Sequence, residues 1–103
     1  MPVVVFIMHS MKDGRFWFGH AVDVEKRIAA HNLGKSEFTK PFRPWKLFAT
    51  KEVDNHSDAV FFERRLKTLQ TEEGMLVFML YNDFKLTPEY QLRLNNIQQK
   101  RED

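Results

Sequence analysis

Apolar runs alternate with short polar segments along the first half of the chain. Val3–His9 is a β-branched and aromatic run of strand length, and Phe16–His20 is a second one. Between them, the pair Asp13-Gly14 is a strong signal for a tight hairpin turn. The pattern therefore predicts an antiparallel β-hairpin.

Helical signals follow the hairpin. Asp23 is at or next to the start of a predicted helix that ends at Asn32–Gly34, because a carboxylate suits the amino end of a helix and a glycine its carboxyl end. Trp45–Val53 predicts a third strand. A second helix, capped by Asn55 or Ser57, is indicated by apolar residues at helical spacing: Ala59, Phe62, Leu66 and Leu69.

The second half of the chain is harder to assign. The apolar run Gly74–Phe84 fits either a helix or a buried strand, because periodicity cannot separate the two in so short a segment. Thr87-Pro88 predicts the start of a last helix that reaches about Lys100. We therefore predict an α/β fold: a small three-stranded antiparallel central sheet flanked by helices, as one domain over residues 1–70, with a helical C-terminal extension over residues 71–103 that packs on it.

Charge is unevenly divided between the two halves. Residues 1–51 contain nine Lys/Arg and four Asp/Glu, a balance of +5, whereas residues 52–103 contain seven and ten, a balance of −3. A basic half suits a phosphate-rich partner, although a solvated mixed surface explains the same charges.

The chain has no cysteine, and no stretch approaches the ~20 apolar residues that span a bilayer. We therefore expect a cytoplasmic protein without a membrane partner.

Several short motifs follow one another in a fixed order over residues 3–70. A hydrophobic strand ends in Ser10, and then come a K-D-G turn, an aromatic-x-Gly strand, D-V-E-K-R-I-x-x-H-N, G-K-S-x-F-T-K, R-P-W-K-L and a helical glutamate after S-D-A. This order resembles the GIY-YIG nuclease domain, and is most similar to its small, single-domain bacterial members. The resemblance implies a domain that binds and cleaves DNA.

The resemblance also implies roles for particular residues. Arg27 matches the arginine that steadies charge on the phosphate, and Glu63 matches the helical glutamate that holds one Mg²⁺ or Mn²⁺ ion. His31 matches a site occupied by His or Tyr, and His20 matches a basic or polar position. The alternatives are surface roles: Arg27 as a partner of nearby carboxylates on its own helix, and Glu63 as an i,i+4 partner of Lys67.

The two motif tyrosines of the family are replaced here. Phe6 stands at the first and Trp17 at the second, and neither side chain has a hydroxyl to donate or accept a proton. Core packing explains both aromatics, and a stacking role for Trp17 is the alternative. His9, His20 and His31 flank the same predicted site, so a histidine or a bound water is the candidate base. The alternative for His9 and His20 is that they are exposed strand-end residues.

The segment Lys35–Lys46 alternates cations with aromatic residues. Its candidate phosphate-binding residues are Lys35, Lys40, Arg43 and Lys46. A loop that its aromatics hold on the core, with solvated lysines between them, explains the same composition.

Two functions from different classes follow. The first is a divergent endonuclease of DNA repair that binds branched or damaged DNA, with weak or absent metal-dependent cleavage. The second is an inactive interaction module that binds nucleic acid or protein. A homodimer formed through Gly74–Phe84 is a further hypothesis, since exposed apolar patches commonly mark interfaces.

Overall fold

The computed structural model describes residues 2–69 and 71–102 and shows an α/β fold. The sheet is antiparallel, has the order β2-β1-β3-β4, and consists of β1 (Val3–Ser10), β2 (Phe16–Ala21), β3 (Trp45–Val53) and β4 (Lys85–Leu86). The α-helices in the described residues are α1 (Val24–Asn32), α2 (His56–Thr68), α3 (Glu72–Tyr81) and α4 (Pro88–Glu102), and a short 3-10 helix spans Lys40–Phe42. None of them is long and apolar enough to cross a membrane.

The predicted hairpin joins β1 to β2. Its turn is closed by backbone hydrogen bonds between Ser10 and Arg15 (2.9 Å) and between Gly14 and Ser10 (3.0 Å). Gly14 has φ +82°, a left-handed conformation that glycine adopts without steric strain. The turn fixes the register in which Phe6 lies opposite Gly19, and this pairing shapes the candidate site.

Helices cover both faces of the sheet. Because side chains alternate along a strand, Val5 and Ile7 of β1 point to one face and Phe6 and Met8 to the other, and the two pairs belong to separate hydrophobic clusters. The first cluster includes residues of α2, α3 and α4. The second includes residues of α1 and the segment that follows it. The helix of Arg27 and the helix of Glu63 therefore lie on opposite faces of the sheet.

The prediction of a three-stranded sheet was wrong, because the sheet has four strands. The added strand, β4, is two residues long and pairs with β3 through Ala49–Leu86 and Thr50–Lys85. So short a strand has no measurable periodicity and is recognised only through its partner. The ambiguous segment Gly74–Phe84 is mostly helix α3, whose Met75, Leu76 and Met79 are buried.

Candidate active site

The edge strand β2 places Trp17, Gly19 and His20 at the border of the sheet. Phe6 is buried opposite Gly19, and a Cβ atom on this glycine would lie 2.8 Å from the Cζ of the Phe6 ring. A glycine is therefore needed where the ring covers the strand. Trp17 is half-buried against the cluster that contains Phe6, with its ring centroid 6.5 Å from that of His31. Both aromatic replacements thus pack on the core.

Arg27 and His31 share a pocket beside α1. They are four residues apart on the helix and therefore neighbours on its surface. The pocket has a volume of about 160 Å³ and is lined by Arg27, Ala30, His31, Lys35 and Ser36. Within the described part of the chain, Arg27 makes no ion pair, whereas the Asp23 carboxylate accepts a hydrogen bond from the Lys26 amide as the helix cap (3.1 Å). The cationic side chains of this pocket are free to meet an anion.

His31 is the buried imidazole that lines this pocket. Its Nδ1 atom is hydrogen-bonded to the hydroxyl of Thr39 at 2.7 Å, and Thr39 is itself fully buried. Burial lowers the pKa of His31 below its ordinary value of 6.5, and the nearby charge of Arg27 lowers this pKa further. The imidazole is therefore neutral near neutral pH, which is the state that accepts a proton.

Glu63 and His20 meet on the other side of the sheet. The Nδ1 atom of His20 lies 2.9 Å from the Oε2 atom of Glu63, and its Nε2 atom lies 2.8 Å from the Nδ1 atom of His56. The three side chains form a continuous hydrogen-bonded row from α2 to β2 and back to the start of α2. This contact replaces the sequence-based alternative in which Glu63 pairs with Lys67, which is not seen within the described residues.

His56 was not predicted as a site residue, although the sequence contains a signal for it. His56 and Glu63 are seven residues apart in α2, which is two helical turns, so both side chains lie on one face of the helix. The partner on β2 is 36 and 43 residues away in the chain from these two, and no local pattern joins them. No hydrogen bond or ion pair of the described residues links this row to Arg27 or His31.

The carboxylate of Glu63 is the group of this row that would hold an Mg²⁺ or Mn²⁺ ion. Residues 2–69 and 71–102 contain no group of three or more His, Cys, Asp or Glu side chains arranged to hold a metal. Glu63 alone supplies a carboxylate, and its Oε2 atom is engaged by His20 while its side chain stays 14% exposed. Mg²⁺ is often held by one or two carboxylates and keeps several waters, so a single glutamate is compatible with such an ion.

The four candidate cations of Lys35–Lys46 lie in three different environments: two pockets and an ion pair. Lys35 lines the pocket of Arg27 and His31, whereas Lys40 and Arg43 line a second pocket together with Lys12. Lys46 forms an ion pair with Glu89 of α4, which raises the pKa of Lys46 and lowers the pKa of Glu89. Lys46 is thus paired, while the other three cations form no ion pair in the described part of the chain.

His9 lies on the sheet face of the first cluster, away from Phe6. Its Nδ1 atom is hydrogen-bonded to the hydroxyl of Tyr90, and its ring stacks on Phe16 with centroids 4.6 Å apart. Burial lowers the pKa of His9, with a smaller contribution from the positive charge of Arg93. His9 and His20 are therefore half-buried and hydrogen-bonded, which differs from the alternative of exposed strand-end residues.

Comparisons with known proteins identify a family and relatives that are similar to this chain. Residues 2–75 match the family model of the GIY-YIG catalytic domain. A UPF0213 protein of Staphylococcus saprophyticus is 38% identical over 65 residues, which are 62% of this chain and 79% of the relative. A UPF0213 protein of Halobacterium salinarum is 33% identical over 67 residues, 64% of this chain and 87% of the relative.

A solved structure has the same fold. The solution NMR structure of a UPF0213 protein from Bacillus halodurans superposes with a TM-score of 0.50 at 28% sequence identity. The match covers 87% of this chain and 92% of that chain, so it extends beyond the family model into the C-terminal helices.

Proposed function

The chain belongs to the GIY-YIG family of catalytic domains, and we propose that it binds DNA and cleaves phosphodiester bonds slowly with the help of a divalent metal ion. Family membership implies a nucleic-acid substrate. The observation that supports catalysis is the pocket in which a neutral, buried His31 lies beside Arg27 and Lys35. A base can accept the proton of the nucleophile, and cations beside it can stabilise the charge that develops on the phosphate.

In the proposed reaction, the phosphodiester lies along the edge of β2. Arg27 and Lys35 bind and orient the phosphate from the α1 side, and His31 accepts the proton of the attacking water. Glu63, on the α2 side of the same edge strand, is the residue that would hold Mg²⁺ or Mn²⁺, and its hydrogen bond with His20 would orient the carboxylate. When bound, the metal ion polarises the phosphate and stabilises the leaving oxygen.

The expected rate is low because both tyrosine hydroxyls are absent. Assistance by a positioned acid or base is typically worth ~10²–10⁴-fold in rate. Phe6 is in the core and cannot take over that role, and Trp17 has only an indole N–H. His31 is the group that remains, and it contacts the site from α1 rather than from the hairpin.

The test is cleavage of labelled linear and branched DNA with Mn²⁺ or Mg²⁺. We expect slow cleavage by the wild type, a loss of at least tenfold in both Glu63→Gln and His31→Asn, and an unchanged rate in Glu52→Gln, an exposed carboxylate on β3. Trp17→Tyr, which restores a phenol at a half-buried position, should raise the rate. Absence of cleavage by the wild type and by Trp17→Tyr would contradict the proposal.

Two observations favour the second candidate, a binding module without chemistry. The carboxylate of Glu63 is already hydrogen-bonded to His20, and the Phe6 ring fills the space over Gly19. In that case DNA binding would be insensitive to EDTA and Glu63→Gln would leave the affinity unchanged, while cleavage would be absent from every variant.

A further inference from the structure

We propose that a second cationic pocket, lined by Lys12, Lys40 and Arg43, together with the exposed ring of Phe38, binds a nucleic-acid strand that has unpaired bases. The pocket holds a backbone phosphate and the ring stacks on a neighbouring base. This inference rests on the nucleic-acid binding in the proposed function, but it concerns residues outside the pocket of Arg27 and His31.

Three separate segments build this pocket. Lys12 comes from the β1–β2 turn, Asn32 from the end of α1, and Lys40 and Arg43 from the segment before β3. The cavity has a volume of about 540 Å³, and no carboxylate is among its described lining residues: Lys12, Asn32, Lys40, Pro41, Arg43 and Pro44. Side chains that are far apart in the sequence therefore converge on one uncompensated positive site.

Two of the three cations of this pocket, Lys12 and Arg43, donate hydrogen bonds to backbone carbonyl groups. The Nζ atom of Lys12 donates to the carbonyl of Pro41 at 3.0 Å, and the Nε atom of Arg43 donates to the carbonyl of Lys40 at 2.9 Å. A carbonyl orients a cation without neutralising it. The charge of both side chains thus remains available to a phosphate, in contrast to that of Lys46, which is paired with Glu89.

The segment that presents these residues is tied firmly to the core. The hydroxyl of Ser10 donates to the carbonyl of Phe42 at 2.7 Å, and the indole N–H of Trp45 donates to the carbonyl of Thr39 at 3.0 Å. Thr39 is fully buried and bonded to His31. A fixed backbone reduces the ordering that binding would otherwise require.

Phe38 projects from a turn between the two cationic pockets. The amide of Lys40 donates to the carbonyl of Ser36 at 2.9 Å, so these residues close one turn, and they line different pockets. Phe38 is 78% exposed although its neighbour Thr39 is fully buried. The other two aromatics of the segment pack inward: Trp45 is buried, and Phe42 lies under the guanidinium of Arg15.

An exposed ring between two phosphate-binding pockets selects for single strands. Stacking on a protein aromatic requires a free base face, and duplex bases stack on each other instead. Phosphate contacts from Lys and Arg position the strand without reading its sequence. We therefore expect preference for strand type and little preference for base sequence.

The experiment is fluorescence anisotropy of the full chain with a labelled oligothymidylate and a matched duplex, in EDTA and at several salt concentrations. We expect tighter binding of the single strand. Phe38→Ala should weaken that binding about tenfold, and Phe61→Ala, an equally large side chain exposed on α2, should leave it unchanged. Lys12→Gln should reduce the slope of log K against log salt by about 0.7, while Lys67→Gln should not.

The outcomes separate this inference from the proposed function. Binding that ignores Phe38→Ala and Lys12→Gln, that is equal for duplex and single strand, or that polyglutamate displaces as well as DNA would overturn the inference. In that case metal-dependent cleavage that depends on Glu63 would still support the proposed function. Single-strand binding with the expected variant effects, but without cleavage, would support the inference and contradict the proposed activity. Thermal denaturation of each variant shows whether it is folded.

Discussion

The imidazole of His31 is subject to two influences that disfavour its charged form. Burial removes water from the ring, and Arg27 places a positive charge near it, so the pKa of His31 lies below 6.5. At His31 the unfolded chain therefore binds more protons than the folded chain once the pH falls below 6.5. The neutral ring contributes fully to the free energy of unfolding above pH 6.5, and this contribution is lost as the pH falls through the lowered pKa.

The influence of Arg27 can be measured separately from that of burial. We expect Arg27→Gln to raise the pKa of His31, because it removes the second cause and leaves the first. Lys26→Gln, which removes a charge from the same helix, is the matched control and should leave this pKa unchanged. Titration of the histidine ring protons by NMR gives both values. Equal pKa values in the wild type and Arg27→Gln would show that burial alone is responsible.

The position of Gly19 shows which features of the site could be predicted from the sequence. The motif aromatic-x-Gly identified the family position from the sequence, and the structure gives the cause as the ring of Phe6 over the glycine. The prediction that Phe6 packs on the core agrees with its burial. Its cluster also contains Ala21 of β2 and Trp45 of β3, which are distant from Phe6 in the chain. The family position of Gly19 and the core packing of Phe6 could thus be predicted from the sequence. The contact between the ring and the glycine could not, because it depends on the register of β1 and β2.

The strands and helices were predicted best where the sequence signals were local. The third strand was predicted at Trp45–Val53 and observed there, and Asn55 caps α2 through a hydrogen bond from the Asp58 amide (2.9 Å). β4 and the row of His20, Glu63 and His56 depend on residues distant in the chain. Such contacts leave no period in the sequence, so both were missed.

Asn32 joins helix α1 to strand β3. Its side-chain oxygen accepts a hydrogen bond from the amide of Trp45 at 2.6 Å, and its side-chain nitrogen donates to the carbonyl of Trp45 at 2.9 Å. The end of α1 is thereby fastened to the start of β3. This link also closes the base of the segment that presents Phe38 and the second cationic pocket.

We expect Asn32→Ala to lower the free energy of unfolding by about 2 kcal/mol, because it leaves the amide and carbonyl of a buried residue without partners. Asn95→Ala is the control: Asn95 is exposed, and the hydrogen bond given for its side chain is to Gln91 on the same helix. Its effect should stay within about 0.5 kcal/mol. Urea denaturation measures both, and equal effects would contradict a role for Asn32 as a link between α1 and β3.

For the whole molecule, the segments after residue 70 complete the core. Five residues of these segments are buried in the first cluster together with residues of β1 and β3: Met75, Leu76, Met79, Phe84 and Tyr90. Most of the apolar run Gly74–Phe84 therefore faces inward, which leaves less apolar surface for a homodimer than its composition indicated. The family model ends at residue 75, so the elements beyond it finish a core that the motif region begins.

The two tyrosines of the chain test this arrangement, since Tyr90 is 1% exposed and Tyr81 is 79% exposed. Tyr90→Ala should lower the free energy of unfolding by about 3 kcal/mol or more, because its ring packs 4.1 Å from that of Phe48 and a cavity would remain. Tyr90→Phe removes the hydrogen bond to His9 alone and should cost about 1 kcal/mol.

Tyr81→Ala should change stability by about 0.5 kcal/mol or less, since its side chain is largely in water. Denaturation of the three variants measures these effects, and sedimentation at several concentrations measures self-association. If the loss of stability caused by Tyr81→Ala increased with protein concentration, Tyr81 would lie in a dimer interface. If Tyr90→Ala were as stable as the wild type, the motif region would form its core without α4. Because Tyr90 contacts both β1 and β3, we expect α4 to be part of the folded unit that holds the candidate site.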